Sequence, residues 1–565
     1  MEMPDQLSAH YRDLLAGSYD CVDRIVLNAY FSLGMTPGGF RYWWQQLTGS
    51  EEKLDNEHLM RMAGRFSRRV RAYAKANQIP VKECAPGEKK HKIGEQHLMG
   101  EQHRADGESK PGLFLILVAK APALVWDVKK TEGGKLGTME PKGKQPNGKA
   151  RWPFVNHYWF HIWDEEWGHI TIKMSGHPPF GAQVMLNGHE FVACQAKKEK
   201  IHVQKEDNCF TESADAAGLA RVADTLSQPG AIGRLSQVCE RWLYTTCLVF
   251  GLDMEEQQRS GFRYQYSTYQ MEYSRNLQFQ VGQQMEEVFQ ALIDRSRSLL
   301  NLDRVKTIFG AKNRPHHRRR NKNPTRWGVV VETPTYDLTV FKVHYGKLTL
   351  KIYTKGERVL RIEVVVHNTK ELRGGRSLEY FPKTVTRLRD ILEKFLNMLY
   401  CIDACFIGEN LLDTLPSPTV VGATRVGGIN YNQARTRNVI EAVVALATSP
   451  AGFSSSELAA QVRALSGQSE SEYSARRAAY DIKKLRGKGM LQKVGNSRRY
   501  EVVPEGLRAM VALVVLRHRV IRPLLAASGR LIPRPKLQNI SRVDRRYENL
   551  RDTMRLLFID LGLAA

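Results

Sequence analysis

The chain has 565 residues, a formal net charge of +25 and a pI near 9.7, with 42% hydrophobic and 9% aromatic residues. That length exceeds one ordinary domain, and that hydrophobic content excludes a chain disordered throughout. No run of about 18 apolar residues occurs, so no membrane span or membrane partner is expected, and the N-terminus MEMPDQLSAHYRDLL lacks the basic-then-apolar order of a signal peptide.

A positive excess of this size points to a polyanionic partner. Eight cysteines in no paired pattern fit a reducing compartment. Cys401 and Cys405 are expected as core thiols on one helix face. The expected location is cytoplasmic, on the nucleoid if the partner is DNA. The fold class expected is α+β and multidomain, a mixed helical and β-sheet body followed by a C-terminal winged helix-turn-helix. Its segments are a mainly helical region 1–110, a His/Trp-rich β region with a basic insertion 111–212, a helical region 213–311, a basic loop, hairpin and helix 312–410, a linker 411–432, and a winged-helix domain with later helices 433–565.

Residues 8–83 read as largely helical, because Asp23 to Phe31 carries a helix-like apolar repeat that Pro37-Gly-Gly39 breaks. From His58 to Lys75, Leu59, Met62, Phe66, Val70 and Tyr73 form one stripe. Arg65, Arg68 and Arg69 on the remaining surface are candidate phosphate contacts. Residues 85–111 read as a loop or weak helix with a short duplication, GEQH at 94–97 and 100–103, and His91, His97 and His103 are expected in solvent. Pro111 to Ala119 is an unbroken apolar run and predicts a buried strand. Lys129 to Arg151, rich in Gly, Lys and Pro, predicts a flexible basic insertion.

The stretch from Phe154 to Gln195 concentrates histidine, tryptophan and acid. Tyr158, Phe160 and Ile162 alternate with His157, Trp159, His161 and Trp163, a strand pattern. Asp164 to Gly168 is a turn, and His169 to Met174 a second strand. Pairing them puts His157, His161, His169 and Lys173 on one polar face. Such a face can hold a divalent metal through imidazoles, bind phosphate while bases stack on tryptophan, or serve as a plain structural hairpin. Pro178 to Gly181 and Asn187 to Glu190 read as tight turns.

Residues 213–305 read as helical, including the run Tyr264, Tyr266, Tyr269 and Tyr273. Those tyrosines suit an aromatic core, with a strand-cleaving nucleophile as the alternative. Lys312 to Arg326 holds seven Lys/Arg and no acid, and Arg318, Arg319 and Arg320 there are candidate phosphate contacts. Trp327 to Asn368 reads as β. A three-residue loop Gly356 to Arg358 sets Lys351 opposite Glu363 and Tyr353 opposite Arg361 on an outward face. That face is either two cross-strand pairs or a catalytic cluster. The catalytic candidates are Glu363, Asp164, Lys355 and Tyr353. The metal-ligand candidates are His157, His161 and His169, with Mg²⁺ or Mn²⁺ as the ion an enzyme of this kind needs. Val385 to Cys405 returns to helix.

After the linker, Arg435 to Ala447 is a helix, Gly452 to Glu457 a turn and cap into a second helix, and Ser471 to Lys488 a third. The third has an inner stripe of Ala475, Ala478, Ile482 and Leu485. Arg476, Arg477, Tyr480, Lys483, Lys484, Arg486 and Lys488 are its candidate nucleic-acid contacts. A hairpin turning at Gly495-Asn496 adds Arg498 and Arg499. Helix, turn, helix, basic helix and basic hairpin is the order of a winged helix, whose third helix enters the major groove. Leu507 to Leu525 and Val543 to Leu563 read as later helices that either pack on this domain or form a homodimer contact.

The segment around Gly487-Lys-Gly-Met-Leu491 resembles winged-helix domains of MarR-type regulators. Asn156-His-Tyr…Phe160-His-Ile…Asp164, Pro179-Phe180 and Leu186-Asn-Gly-His189 combine with Tyr353-Thr-Lys355, Leu360-Arg-Ile-Glu363 and Asn368-Thr-Lys-Glu371. Together with the winged helix, these resemble a widespread bacterial family without an assigned activity, over most of the chain. The Tyr-x-Lys…Leu-Arg-x-Glu pattern is also similar to a hairpin of rolling-circle replication initiators, whose His-x-His pair is absent here. The function expected is DNA binding through the winged helix, in a regulator or a mobile element. A metal-dependent endonuclease or strand transferase is the alternative, and RNA binding a second one. No GxxxxGK[ST] loop occurs, which argues against an ATP-driven motor.

Overall fold

The computed structural model describes residues 5–102, 111–131, 136–143, 152–206, 208–299, 306–309, 327–335, 338–345, 347–372, 374–403, 411–447, 449, 452–521 and 542–560. His103, Arg318, Arg319, Arg320 and Cys405 lie outside them. Helices and strands mix as expected, but the body is built on one sheet of twelve strands. In chain order these are β1 Leu15–Phe31, β2 Val81–Glu83, β3 Gly112–Pro122, β4 Phe154–Asp164, β5 Gly168–Ser175 and β6 Ala182–Asn187, then β7 Tyr264–Phe279, β8 Lys306–Phe309, β9 Trp327–Thr335, β10 Leu338–Tyr345, β11 Leu348–Lys355 and β12 Val359–Val366. The spatial order is β8-β9-β10-β11-β12-β7-β1-β6-β5-β4-β3-β2. Strands come from all four segments that the sequence sets apart before residue 411.

The sheet is a duplication. Each half begins with a long strand, β1 or β7, and runs through helix to a short edge strand, β2 or β8. Each edge strand pairs in parallel with the next strand. Four antiparallel strands then return toward the long strand, and a helix follows, Gly188–Lys198 or Phe381–Asp403. The two long strands pair antiparallel over their whole length and join the halves.

Two expectations fail here. Asp23 to Phe31 is not helical; it belongs to β1, and Tyr264 to Tyr273 belongs to β7. Both are central strands buried on two faces, so apolar residues stand on both sides and a helix-like spacing arises by coincidence. A register shift between Val22 and Ile25 adds to the confusion, because it breaks the two-residue period of β1. Elsewhere the period holds. The hairpin 154–175 and the β pattern from Trp327 form as read, and the strand expected over 111–119 from its apolar run forms as Gly112–Pro122.

The sheet has an apolar face and a polar face. Tyr158 and Phe160 of β4 meet Phe66 of the helix Asn56–Ala76 and Phe250. Leu350, Ile352, Ile362 and Met271 continue that core toward the helix Phe381–Asp403. On the other face lie the helix Lys90–Gln102, over β4 and β5, and the hairpin Val203–Glu206/Cys209–Ser213, over β1 and β12.

Beyond the sheet, residues 411–432 are not a bare linker. They hold a short helix, Leu411–Thr414, and a hairpin, Thr419–Val421/Thr424–Val426, that packs on the helix Ala475–Gly487. Three helices follow, Ala434–Leu446, Ser455–Ser466 and Ala475–Gly487, then the hairpin Leu491–Lys493/Tyr500–Val502 and the helix Pro504–Leu516. Ser454 and Glu457 form a capping box on the second of them. The unit is tied to the body, with Lys394 donating to Glu501 at 2.8 Å. Among the described residues no helix is long and apolar enough to cross a membrane.

Candidate functional site

The polar face is set by register. Glu363 stands opposite Lys351 and Ser274, and Arg361 opposite Tyr353 and Asn276. Cys21 faces Ser274 across the joint between the halves. The same face continues through Arg24, Asn187 and Gln183 to Lys173, Trp159 and His161. A row of polar and charged side chains therefore crosses seven strands, densest where the two halves meet.

At that joint lie two linked clusters. The first is closed to water. Asp23 is held by Arg361 Nη2 at 2.5 Å and by His189 Nδ1 at 2.7 Å. Tyr19 Oη sits 3.3 Å from His189 Nε2 and accepts from the Phe210 amide at 2.8 Å. With Nδ1–H toward Asp23, His189 Nε2 is free to accept the tyrosine proton. Burial would push Asp23 up, but Arg361 and then His189 bring it down to about 2. Burial holds the His189 imidazole below its ordinary value despite Asp23. Asn187 to Glu190 is thus not a tight turn but a helix start. Asn187 caps it, and a Cβ on Gly188 would stand 1.6 Å from the Val22 carbonyl oxygen. Only glycine lets this helix press His189 against β1.

The second cluster is half-open. Lys351 Nζ donates to both Glu363 oxygens, at 3.1 and 3.0 Å, and the Tyr353 hydroxyl donates to Oε2 at 2.9 Å. Lys351 keeps about a quarter of its side chain exposed, whereas Glu363 keeps 2%. Glu272 lies beside Glu363. Burial and then the Glu363 charge push it up to about 7, so near neutrality the two carboxyls share a proton. Burial would likewise raise Glu363, but Lys351 and Arg361 keep it low. The expected pairing Lys351–Glu363 and Tyr353–Arg361 is present, with the loop Gly356 to Arg358. The expected outward direction is wrong. Arg361 is fully buried and donates to the Asn208 carbonyl of the overlying hairpin at 2.6 Å.

The other expected site residues separate. Asp164 accepts from the backbone of Glu166 and Trp167, from Trp242 and from Arg241, so it closes its turn and stands apart from Glu363. Lys355 lies at the end of β11, opposite Val359. His161 Nδ1 and His169 Nε2 are 2.9 Å apart, but His157 faces Ser175 farther along and bonds the Val155 carbonyl. Tyr264 and Tyr273 are buried and donate to Phe180 and Asp20, which removes them as nucleophiles. Arg65 pairs with Glu256 and Arg69 with Asp253, whereas Arg68 is exposed. Arg68 lines a cleft of about 700 Å³ with Lys53, Arg61, Arg65 and Arg259.

In the C-terminal unit Ala478, Ile482 and Leu485 are buried and Ala475 is half-buried. Arg476, Arg477, Tyr480 and Arg498 are exposed, and Lys483, Lys484 and Arg486 half-exposed. Lys484 sits over the Tyr480 ring, and Arg486 over that of Tyr500. Lys488 instead donates to the Thr414 and Ser417 carbonyls, and Arg499 to Glu457, so both are structural.

Reading the sequence alone misses Asp23, Tyr19 and His189 as members of the first cluster and Glu272 as a member of the second. For Asp23 the available signal was a charge inside an apolar run, Cys-Val-Asp-Arg-Ile-Val; Glu272 lies in a polar-aromatic stretch that gives no such signal. No family model, curated protein or solved structure matches the chain.

Proposed function

We propose that the chain is a DNA-binding protein whose residues from Ala434 to Leu516 form a winged helix. The observation that carries this reading is the helix Ala475–Gly487. Its inner stripe is buried, and its outer side presents Arg476, Lys483 and Lys484 beside an exposed Tyr480. Arg476, Lys483 and Arg498 form no ion pair among the described residues, so their charge is available to phosphate. The hairpin Leu491–Tyr500 carries Arg498 at its tip, where a wing reaches the backbone. The net charge of +25 and the basic cleft at Arg68 and Arg259 favour the same partner class. In this reading the chain acts as a regulator or within a mobile element.

The test is duplex-DNA binding over a range of salt. The expected result is an affinity that falls steeply with salt, and a variant with Arg476, Lys483, Lys484 and Arg498 changed to Gln that binds far more weakly with a shallower salt slope. Equal binding by that variant removes the winged helix from the reading. Preference for single-stranded RNA over duplex DNA in competition replaces it with RNA binding.

A second reading rests on Glu363 and Glu272 beside Lys351 at the half-open end of the sheet joint. Two adjacent carboxyls suit Mg²⁺ or Mn²⁺ and metal-dependent phosphodiester cleavage. End-labelled DNA with and without Mn²⁺ decides it. Metal-dependent cleavage lost in Glu363→Gln supports it, and intact DNA under all conditions rejects it.

A further inference from the structure

We propose that the first half of the sheet binds the phosphate of a nucleotide at Lys173, with Lys90 as a second cation and the Trp159 ring as a stacking surface for the base.

The duplicated halves repeat one constellation in the same register. His161 of β4 stands opposite Thr171 of β5, and His344 of β10 opposite Thr349 of β11. In both pairs the imidazole Nδ1 meets the threonine Oγ1, at 3.2 and 3.0 Å. Two residues past each threonine, on the same face, stands a lysine, Lys173 or Lys351. Lys173 is opposite Gln183 of β6, and Lys351 opposite Glu363 of β12.

The halves differ in what faces that lysine. In the second, Glu363 accepts from Lys351 and from Tyr353, so the chain supplies its own anion. In the first, the Gln183 amide is neutral and donates to Asn28 Oδ1 at 2.9 Å. Lys173 is half-buried, and its ammonium makes no ion pair or hydrogen bond among the described residues. Its contact is the Trp159 ring, with Nζ 5.6 Å from the centroid. Drawing an ammonium partly out of water without a counter-charge costs free energy, which a bound anion offsets.

The space beside Lys173 is open as well. In the second half Tyr353 and Arg361 form the next row on this face. Ser175 and Gly181 take the corresponding places in the first, joined by the Ser175 amide donating to the Gly181 carbonyl. A Cβ on Gly181 would meet nothing within 4 Å among the described residues. The place that the Arg361 side chain fills in one half is therefore clear in the other.

The neighbours select the ligand. Lys90 Nζ, at the start of the helix Lys90–Gln102, lies 5.8 Å from the centroid of the same Trp159 ring. It donates to the Ala85 and Glu88 carbonyls and meets no carboxylate among the described residues. Two ammoniums beside a half-buried indole suit a phosphate joined to a planar base rather than a lone carboxylate. The site uses no residue of the C-terminal unit and stands whether or not that unit binds DNA.

Full-length protein is titrated by calorimetry with inorganic phosphate, thymidine monophosphate and a thymidine octanucleotide. Saturable binding of the monophosphate, and weaker binding of phosphate alone, is the expected result. Lys173→Gln is expected to weaken both about tenfold or more. Trp159→Leu is expected to weaken only the monophosphate, by about fivefold or more. Gln183→Glu installs the anion of the second half and is expected to abolish both, with an unchanged circular dichroism spectrum. Octanucleotide binding that is tighter than that of the monophosphate and lost in Lys173→Gln supports the site with a strand as its source. Equal binding supports it with the free nucleotide. No saturable binding of monophosphate or octanucleotide overturns the site, as does wild-type affinity in both Lys173→Gln and Gln183→Glu. Phosphate bound as tightly as the monophosphate overturns the stacking role of Trp159.

Discussion

Arg361 reaches Asp23 at 2.5 Å in the middle of the sheet, and neither side chain is more than 1% exposed. Asp23 is on β1 and Arg361 on β12, so the pair spans the joint between the duplicated halves. Two charges this deep are tolerated only together. Arg361→Met leaves Asp23 ionised without its main counter-charge and is expected to cost about 3–5 kcal/mol in urea unfolding. Asp23→Leu with Arg361→Met is expected to cost clearly less than either single change, because it removes both charges. The acid limit follows from the carboxyl held at about 2. Unfolded aspartate titrates near 3.9. The folded form therefore gains stability from Asp23 above that value and loses it as pH falls through about 2. A double variant no better than the singles rejects the pair as the source.

The buried histidines set a second, milder acid limit. His157 and His169 are held down to about 4 and His161 down to about 2, chiefly by burial. Each stays neutral in the folded chain while its unfolded counterpart protonates below about 6.5. The unfolded state then binds more protons, so acidification favours unfolding. At pH 5 each is expected to have cost about 2 kcal/mol relative to pH 8. Denaturant unfolding of His157→Gln checks this. That variant is expected to show a flatter dependence on pH between 7 and 5, and an unchanged slope shows that His157 does not carry the effect.

What could be read from the sequence follows the physics of the elements. The strands within 154–175 and 348–366 alternate over most of their length, because one face of each is mainly apolar and the other mainly polar. Their register, down to Lys351 opposite Glu363, was therefore legible. β1 and β7 were not, since long central strands covered on both sides lose that alternation. The candidate site was half legible for the same reason. Glu363 and Tyr353 announced themselves on an alternating hairpin. Asp23 and Glu272 lay inside the two misread strands, and their convergence depends on a pairing between residues some 250 positions apart. The burial of Arg361 was hidden too, because it is the hairpin around Asn208 that covers it.

Glu272 gives the shared-proton arrangement a direct test. Its carboxyl is pushed up to about 7 by burial and by Glu363, against an unfolded value near 4.3. A carboxyl raised in the folded state opposes folding above the unfolded value, because the unfolded chain ionises more easily. Glu272→Gln removes that opposition. It is expected to stabilise the protein by roughly 3–4 kcal/mol at pH 8 and by only about 1 kcal/mol at pH 5. Urea unfolding at the two pH values measures this. A gain that does not change with pH points to packing instead, and a loss at pH 8 shows that the Glu272 charge is needed where it stands.

The basic residues of the C-terminal unit divide by what they touch, and the division predicts two separable phenotypes. Arg499 donates to Glu457 Oε2 and to the Gly452 carbonyl, both at 2.7 Å, which fastens the hairpin to the capped end of the helix Ser455–Ser466. Arg499→Gln is expected to lower stability by about 1 kcal/mol, a modest loss because the pair is partly exposed. Arg476 and Lys483 make no ion pair among the described residues. Changing either to Gln is expected to leave stability within about 0.5 kcal/mol. Each change is also expected to reduce the slope of log affinity against log salt by about 0.9 if the charge meets a phosphate. Thermal melts and salt-dependent DNA binding on the three variants separate the cases. A slope unchanged in both Arg476→Gln and Lys483→Gln places the DNA contacts elsewhere on the chain. A slope reduced as much in Arg499→Gln as in the other two means that the ion pair to Glu457 opens on binding.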